Sequence, residues 1–227
     1  MVREVLRETG DFLPRRPFHT PIPWRELKYA CWLPLYLLAF FLVERRTSAA
    51  YWFTQLPIDS RIPFCEPFIL AYCAWYPLLI GVGLYLLARD QQAYRRYMAF
   101  LAITFWGSMT VWFLLPNCQD LRPIVMPRDN LFTRWISVLY AIDTNTNVFP
   151  SGHVVGSVGS ALAVWDSTAL RDRKVVRWGV TILAALICLS TLLIKQHTVL
   201  DVLGGLALSL IAGVFVYRTK KNGFPQP

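Results

Sequence analysis

The sequence offers little material for a disulfide scaffold, a metal centre or a repeat protein. Its 227 residues include five cysteines and only three histidines. Five cysteines make no disulfide framework, although Cys65 and Cys118 both fall in predicted outer loops and could pair in an oxidising compartment. We find no internal repeat, no low-complexity tract and no plausible metal-ligand cluster. These absences argue against a fold held together by cross-links or by a structural metal.

Charge is also scarce. Charged residues make up 16% of the chain, hydrophobic residues make up 55%, and the mean hydropathy is +0.40. A helix needs about 20 mostly apolar residues to cross a bilayer, and six runs approach that length. These runs are Leu27–Val43, Pro67–Ala88, Met98–Leu115, Ser151–Ala169, Trp178–Ile194 and Thr198–Tyr217. Tryptophan and tyrosine collect near their ends, as in an aromatic belt. The sequence therefore predicts an all-α, polytopic membrane bundle with six transmembrane helices.

The domain organisation follows from the distribution of charge. We expect one membrane domain over residues 27–217, preceded by a cytoplasmic lead-in (1–26) and followed by a cytoplasmic tail (218–227). The lead-in is polar and has no apolar segment typical of a signal peptide. Of the 23 basic residues, sixteen fall on the side of the predicted membrane that holds both termini. This bias predicts cytoplasmic termini in a cell membrane, and it explains the net charge of +9 without a nucleic-acid partner.

The longest outer connection, residues 116–150, carries a second helical signal. Apolar and aromatic residues recur at helical spacing from Leu131 to Tyr140. This pattern predicts a short amphipathic helix lying at the membrane interface.

A glycine turn opens the fourth apolar run, where the sequence reads Pro150-Ser151-Gly152-His153. Proline suits a helix start and serine can cap it, while the free amides of the first turn favour a phosphate. His153 would stand beside that phosphate and could donate a proton near neutral pH. The alternative is a simple helix cap with an interfacial histidine.

His197 and Asp201 form a second polar pair beside an apolar run. At a spacing of four residues they would share one helix face, so the carboxylate could accept the Nδ1–H of the imidazole. That hydrogen bond leaves Nε2 unprotonated, as a nucleophile or a general base requires. The alternative for Asp201 alone is a helix cap stabilised by the dipole.

Arg122 stands beside Pro123 in the long outer connection. Its planar, permanently charged guanidinium suits phosphate oxygens, although a solvated loop arginine is the commoner case. The predicted topology places Arg122, His153 and His197 on the same, outer side of the membrane.

Together these motifs resemble the type 2 phosphatidic acid phosphatase superfamily of integral membrane lipid phosphatases. The pattern of that family is Lys-x6-Arg-Pro, then Pro-Ser-Gly-His, then Ser-Arg-x5-His-x3-Asp. The corresponding stretches read Leu115-x6-Arg122-Pro123, Pro150-Ser151-Gly152-His153 and Ser190-Thr191-x5-His197-x3-Asp201. The resemblance implies the phosphatidic acid phosphatase type 2 / haloperoxidase-like core for the bundle.

The resemblance also implies roles for the site residues. His197 would attack phosphorus and form a phosphohistidine, Asp201 would hold its ring, and His153 would protonate the leaving alkoxide. The equatorial oxygens would be held by Arg122, Ser151 and Gly152. The partners expected are a phosphorylated lipid and the bilayer, with no nucleic acid and no metal or other cofactor.

Two departures from the family pattern remove cations. Leu115 replaces the family lysine and Thr191 replaces the family arginine. On a continued helix, Lys195 would point the same way as Thr191, so we expect it to restore a phosphate contact. The alternative is a snorkelling or loop lysine. Asn117 and Gln119 are neutral donors that could cover part of the role of the missing lysine. Ser190 could bond the phosphate or a neighbouring helix.

The expected function is therefore that of a membrane lipid phosphatase acting on a lipid phosphate or diphosphate ester at the outer face. One alternative is a lipid phosphotransferase. Sphingomyelin-synthase and inositol phosphorylceramide-synthase types resemble the same His and His-x3-Asp plan and tolerate loss of the third-motif arginine. A second alternative is a non-catalytic protein that binds or transports lipid.

Overall fold

Apolar helices make up nearly all of the fold. The computed structural model describes residues 23–218, so most of the predicted lead-in and of the tail lies outside the described residues. Within that range there are eight α-helices: α1 (Trp32–Glu44), α2 (Ile69–Cys73), α3 (Trp75–Arg89), α4 (Gln91–Leu114), α5 (Leu131–Ile142), α6 (Gly152–Asp166), α7 (Lys174–Leu193) and α8 (Val199–Arg218). Four short 3₁₀ helices cover Trp24–Ala30, Pro57–Arg61, Glu66–Phe68 and Thr168–Leu170. The all-α prediction is confirmed.

The count of membrane-crossing helices differs slightly from the prediction. Five helical stretches are long and apolar enough to cross a membrane: Trp24–Glu44, Glu66–Arg89, Gln91–Leu114, Lys174–Leu193 and Val199–Arg218. They overlap five of the six predicted spans. The remaining predicted span, 151–169, forms α6, which has only 15 residues. At 1.5 Å per residue it is about 22 Å long, shorter than a typical hydrocarbon core. The six-helix layout is therefore approximate.

The short helix α6 lies at the centre of the bundle. It packs against α3, α4, α7 and α8. A helix enclosed by other helices need not match the thickness of the lipid, which explains its length. Gly156 shows how closely it packs, since a Cβ at that position would lie 2.7 Å from Nε1 of Trp75. The glycine therefore lets the Trp75 indole reach the first turns of α6.

One end of the bundle is held by partly buried polar contacts. Arg95 pairs with Glu26 at 2.6 Å, and Arg96 pairs with Asp166 at 2.6 Å. Asp90 accepts hydrogen bonds from the connection that follows α6. These contacts fix the short connections that the charge bias places in the cytoplasm. Both motif histidines lie at the opposite end.

The helix predicted from Leu131 to Tyr140 forms as α5, while its location at the membrane interface stays a prediction. Asn130 caps its first turn and forms a reciprocal capping box with Thr133. The apolar face of α5 joins a small cluster, in which Ile136 packs with Ile69 and Ile194. This helix lies at the end of the bundle that holds the histidines. The chain continues from it into the segment that precedes α6.

The two cysteines that the predicted topology places in outer loops do not pair. Cys65 and Cys118 are both free thiols in the structure. Cys118 lies in a two-residue strand, β2 (Asn117–Cys118), which pairs in parallel with β1 (Trp52–Phe53). The amide of Cys65 instead donates to the carbonyl of Leu193 at the end of α7.

Candidate active site

The two motif histidines line one cavity at the end of the bundle where α6 begins. His153 lies in the first turn of α6, and His197 lies in the segment between α7 and α8. Their ring centroids are 6.2 Å apart, and both contact a cavity of about 270 Å³. Reacting atoms approach to about 3–3.5 Å before a bond forms. One phosphorus atom can therefore lie between the two imidazoles with each ring within reach.

The start of α6 has the capping geometry that its sequence predicts. Ser151 is the N-cap, and its Oγ accepts from the amide of Val154 at 3.4 Å. The amide of Ser151 donates to the carbonyl of Asp201 at 3.1 Å, which ties the two motifs together. Gly152 lines the cavity beside His153. The first amides of the helix thus lie next to the histidine, at the positive end of the helix dipole.

The His153 imidazole packs against two aromatic rings. It stacks on Tyr72 with centroids 4.0 Å apart and lies 4.5 Å from Trp75. The side chain is buried, with 9% exposed, and its Nε2 has no hydrogen-bond partner among the described residues. A buried polar atom without a partner is costly. A ligand that accepts a hydrogen bond in the cavity would remove that cost.

His197 and Asp201 lie close together, although they do not share one helix as their spacing suggested. The expectation that both lie on one helix is wrong, because α8 begins at Val199, two residues after the histidine. The turn before α8 nevertheless brings Nδ1 of His197 to 3.5 Å from Oδ2 of Asp201, although the predicted hydrogen bond between them is not formed. The amide of His197 is fixed by the carbonyl of Thr191 at 3.0 Å. The carboxylate thus lies on the Nδ1 side of the ring.

Asp201 also caps α8, as the alternative interpretation proposed. Its Oδ2 accepts from the amide of Thr198 at 2.7 Å, and its own amide donates to the Thr198 hydroxyl at 3.2 Å. This reciprocal pair is a capping box. The other oxygen, Oδ1, is buried and has no partner among the described residues. The cap therefore fixes a fully buried carboxylate beside His197, and the two roles coexist.

Arg122 lies behind the cavity and does not line it. Its guanidinium donates to the carbonyls of Tyr140 and Thr144, at 3.2 and 2.6 Å, and to the side-chain oxygen of Gln196. Gln196 directly precedes His197. These contacts give Arg122 a positioning role in this geometry, and its direct contact with phosphate stays a prediction.

Lys195 does not take the place expected for a substitute cation. That expectation assumed a continuous helix, but α7 ends at Leu193 and Lys195 has a left-handed backbone with φ of 55°. Its ammonium donates instead to the carbonyls of Asp59 and Ile62, at 3.0 and 2.6 Å. The turn therefore directs the lysine away from the cavity lining.

The three neutral residues expected near the phosphate also form hydrogen bonds with other groups. Ser190 donates to the carbonyl of Ile187 within its own helix at 2.6 Å. The side chain of Asn117 bonds Leu115 and Phe149 backbone groups. Gln119 donates to the carbonyl of Lys195 at 3.0 Å. These side chains brace the loops around the site and do not line the cavity.

No sequence motif pointed to one polar residue that borders the cavity close to the histidines, Asp143. Asp143 lines the cavity and its Oδ2 accepts from the Tyr72 hydroxyl and the Gln196 amide, both at 3.2 Å. Burial raises the pKa of the Asp143 carboxyl, and the nearby charge of Glu44 raises it further. Asp143 directly follows α5, and Gln196 directly precedes His197. Their positions beside these two predicted features were the signal by which the sequence could have indicated them.

The rest of the cavity wall is largely aromatic. Rings from α1, α3 and α4 contribute to it: Tyr36, Phe40, Trp75, Tyr76, Phe105 and Trp112. Among residues 23–218, no group of three or more His, Cys, Asp or Glu side chains could hold a metal ion. The arrangement thus joins two imidazoles and a helix N-terminus to an apolar surface.

Comparison with known proteins matches the region that contains these motifs. The sequence profile of the PAP2 superfamily matches residues 96–224, more than half of the chain. The chain is also 27% identical over 118 residues to a protein named lipid A 4'-phosphatase from Porphyromonas gingivalis. That match covers 52% of this chain and 48% of the relative, so the chain spans about half the length of the relative. No solved structure matches the chain.

Proposed function

Because this chain belongs to the PAP2 superfamily, we propose that it is a membrane lipid phosphatase that hydrolyses a lipid phosphate or diphosphate ester. The observation that carries the proposal is the pair of imidazoles 6.2 Å apart on one cavity, one of them beside a buried carboxylate. The apolar bundle and the aromatic wall suit a lipid. The name of the Porphyromonas gingivalis relative, a lipid A phosphatase, supports the same class of substrate.

In the first half-reaction, His197 is the nucleophile. Asp201 lies on its Nδ1 side, which leaves Nε2 free to attack phosphorus. The Nε2–P bond forms as the P–O bond to the lipid breaks, and the leaving alkoxide takes a proton from His153. The products are a phosphohistidine at position 197 and a lipid alcohol.

In the second half-reaction, water takes the place of the lipid alcohol. The neutral His153 removes a proton from the water, whose oxygen attacks phosphorus as the N–P bond breaks. Phosphate leaves and both histidines return to their starting states. No step requires a metal, so we propose a metal-independent hydrolase.

The charge on the equatorial oxygens needs stabilisation in the transition state. The start of α6 supports this role, because Ser151 and Gly152 present a hydroxyl and an amide beside His153. Arg122 could contribute after exchanging one of its present acceptors for a phosphate oxygen. Ser190 and Lys195 are bound elsewhere, and their contacts do not support a role in phosphate binding.

We propose that the site faces the outer side of a cell membrane and that both termini are cytoplasmic. The bias of basic residues supports this topology. The histidines lie at the bundle end opposite to Arg95 and Arg96, which belong to a connection on the basic side.

A lipid phosphotransferase is the second candidate function, and one observation favours it. Thr191 replaces the family arginine, and its hydroxyl donates to the Cys188 carbonyl within its own helix. Transferases of the sphingomyelin-synthase type tolerate the same loss. Both functions use the same phosphohistidine, and only the acceptor differs.

Purified protein in detergent, assayed in the presence of EDTA with lipid phosphates that include phosphatidic acid and a long-chain-base 1-phosphate, tests these proposals. Hydrolysis predicts free inorganic phosphate without an added alcohol, at a rate that the chelator does not change. Head-group exchange that requires an added alcohol would support the transferase. Lipid binding without either product, by wild-type protein, would contradict both and support a non-catalytic role.

Replacing Asp201 with asparagine tests the orientation of the nucleophile. We expect kcat to fall by about 10²–10⁴-fold, because an amide can hold the wrong imidazole tautomer. KM should change little, since Asp201 does not line the cavity. Initial rates over a range of lipid concentrations separate the two constants. An unchanged kcat would show that Asp201 only caps α8.

A further inference from the structure

The cavity that would receive a phosphate has an unusual charge. Among the described residues that line it, none is lysine or arginine, whereas two are carboxylates, Glu44 and Asp143. The nearest motif cations, Arg122 and Lys195, donate to other groups. A dianionic phosphate with no positive charge of its own would be repelled by these two carboxylates.

The structure holds both carboxylates firmly in place. Asp143 is fixed by Tyr72 and Gln196. Glu44 accepts from the amide and hydroxyl of Thr144 and, at 3.2 Å, from the amide of Asn147. Neither carboxylate forms an ion pair with a basic side chain among residues 23–218. Neither carboxylate therefore has a direct counter-ion, although the charges of Arg122 and His197 oppose the rise in the pKa of the Asp143 carboxyl.

The position of Glu44 adds to this cost. It is the last residue of α1, where the helix dipole disfavours an anion. It also raises the pKa of the neighbouring Asp143 carboxyl. Such an unfavourable electrostatic arrangement at a functional cavity is expected where a bound ligand removes its cost.

The aromatic wall supplies a complementary surface for a cation. Trp75 and Tyr76 line the same cavity as the carboxylates, with Tyr36 and Trp112 from neighbouring helices. Aromatic faces attract ammonium groups, most strongly where water is excluded. The unpartnered, buried Nε2 of His153 marks the phosphate end of this cavity independently of the acidic residues.

We infer that the substrate is a lipid phosphate ester that carries an ammonium group close to its phosphate, and that Asp143 and Glu44 select it. This inference rests on the proposed function. The shared chemistry is an amine on a carbon near the phosphate ester oxygen. It occurs in the phosphate of a long-chain amino alcohol, where hydrolysis releases inorganic phosphate. It also occurs in an ethanolamine head group, where cleavage of the bond to diacylglycerol releases phosphoethanolamine.

Two substrates that share the same phosphate but differ in the charge of their nitrogen test the inference. The probes are a long-chain-base 1-phosphate and its N-acetyl derivative, which has the same phosphate but no positive charge. Phosphatidylethanolamine and its N-acetyl derivative form the second arm. In at least one arm we expect the free amine to have a kcat/KM about tenfold or more above its acetylated partner, as a hydrogen bond between charged groups implies. Equal values in both arms would overturn the inference.

Two variants assign the selectivity to residues. Asp143→Asn and Glu44→Gln should each bring the ratio of amine to N-acetyl rates closer to one. Asp129→Asn is the matched control, because Asp129 is exposed at the same end of the bundle and pairs with Arg134 away from the cavity. Its ratio should equal that of the wild type. An unchanged ratio in both cavity variants would contradict the assignment.

Stability provides a second readout for Asp143→Asn. The folded-state pKa of this carboxyl is raised, so the ionised group lowers stability once the pH rises above its ordinary pKa. We expect the variant to have a higher Tm than wild type at pH 7.5, with the difference shrinking towards pH 4. A lower Tm at pH 7.5 would show that the charge serves the fold, and would overturn its assignment to the substrate.

Phosphatidic acid separates failure of the inference from failure of the proposed function. If it is hydrolysed as fast as the amine-bearing lipids, the phosphatase stands and the inference falls. If neither phosphate nor phosphoethanolamine is released from any of these lipids, the proposed function itself fails.

Discussion

Replacing His197 with alanine is expected to reduce phosphate release by about four orders of magnitude or more. Loss of a nucleophile removes the covalent route, and only substrate binding and helix-dipole effects remain. His197 lines the cavity, and its Nδ1 forms no hydrogen bond among the described residues. We therefore expect the variant to fold and to bind lipid.

The third histidine of the chain provides the control. His19 belongs to the polar lead-in and lies outside the described residues, and His19→Ala should retain wild-type turnover. Thermal unfolding and size-exclusion profiles check that both variants are folded. Hydrolysis by the His197→Ala protein at more than a few per cent of the wild-type rate would remove His197 as the nucleophile.

Replacing His153 with alanine should produce the second-largest loss, about 10²–10⁴-fold on a lipid phosphate. The leaving group of such a substrate is an alkoxide, which needs a proton as the P–O bond breaks. A p-nitrophenyl leaving group needs no proton. On p-nitrophenyl phosphate, the same variant should therefore lose much less of its rate of phosphoenzyme formation. His197→Ala should be inactive on both substrates.

Burst kinetics make this contrast measurable. His153 also activates water in the second half-reaction, so the variant should show a rapid burst of nitrophenol followed by a slow steady state. If the burst rate fell by the same factor as the rate on lipid phosphate, this would contradict the role of His153 as an acid. It would instead indicate that the stacked ring supports the shape of the cavity.

Local patterns predicted the parts of the fold that depend on local physics. The helical spacing of Leu131–Tyr140 predicted α5, and Pro150-Ser151-Gly152 predicted the capped start of α6. The order of the three motifs indicated that His153 and His197 serve one site, and the structure brings their rings to one cavity. In each case the signal lies within a short stretch of sequence.

Predictions that assumed a continued helix were less successful. Lys195 was placed by helical periodicity, but the chain leaves α7 before it and turns through a left-handed residue. His197 likewise precedes α8. The exact end of a helix depends on capping contacts from distant residues, such as the bond between Gln119 and the Lys195 carbonyl. Periodicity within the helix contains no information about such contacts.

The residues that border the cavity depend on tertiary packing. Asp143 and Glu44 are about a hundred residues apart in sequence, and Thr144 and Asn147 join their segments. Neither acid belongs to a motif. The length of α6 was also unpredictable locally, because its burial among four other helices removes the need to match the bilayer.

The most direct test of the account is to trap the covalent intermediate. Wild-type protein is mixed with ³²P-labelled lipid phosphate and quenched within the first turnover. We expect a protein-bound label that is stable to alkali and labile to acid, that maps to the peptide containing His197, and that is absent from His197→Ala. A turning-over enzyme that carries no label at any time point, or a label on another residue, would contradict the phosphohistidine mechanism.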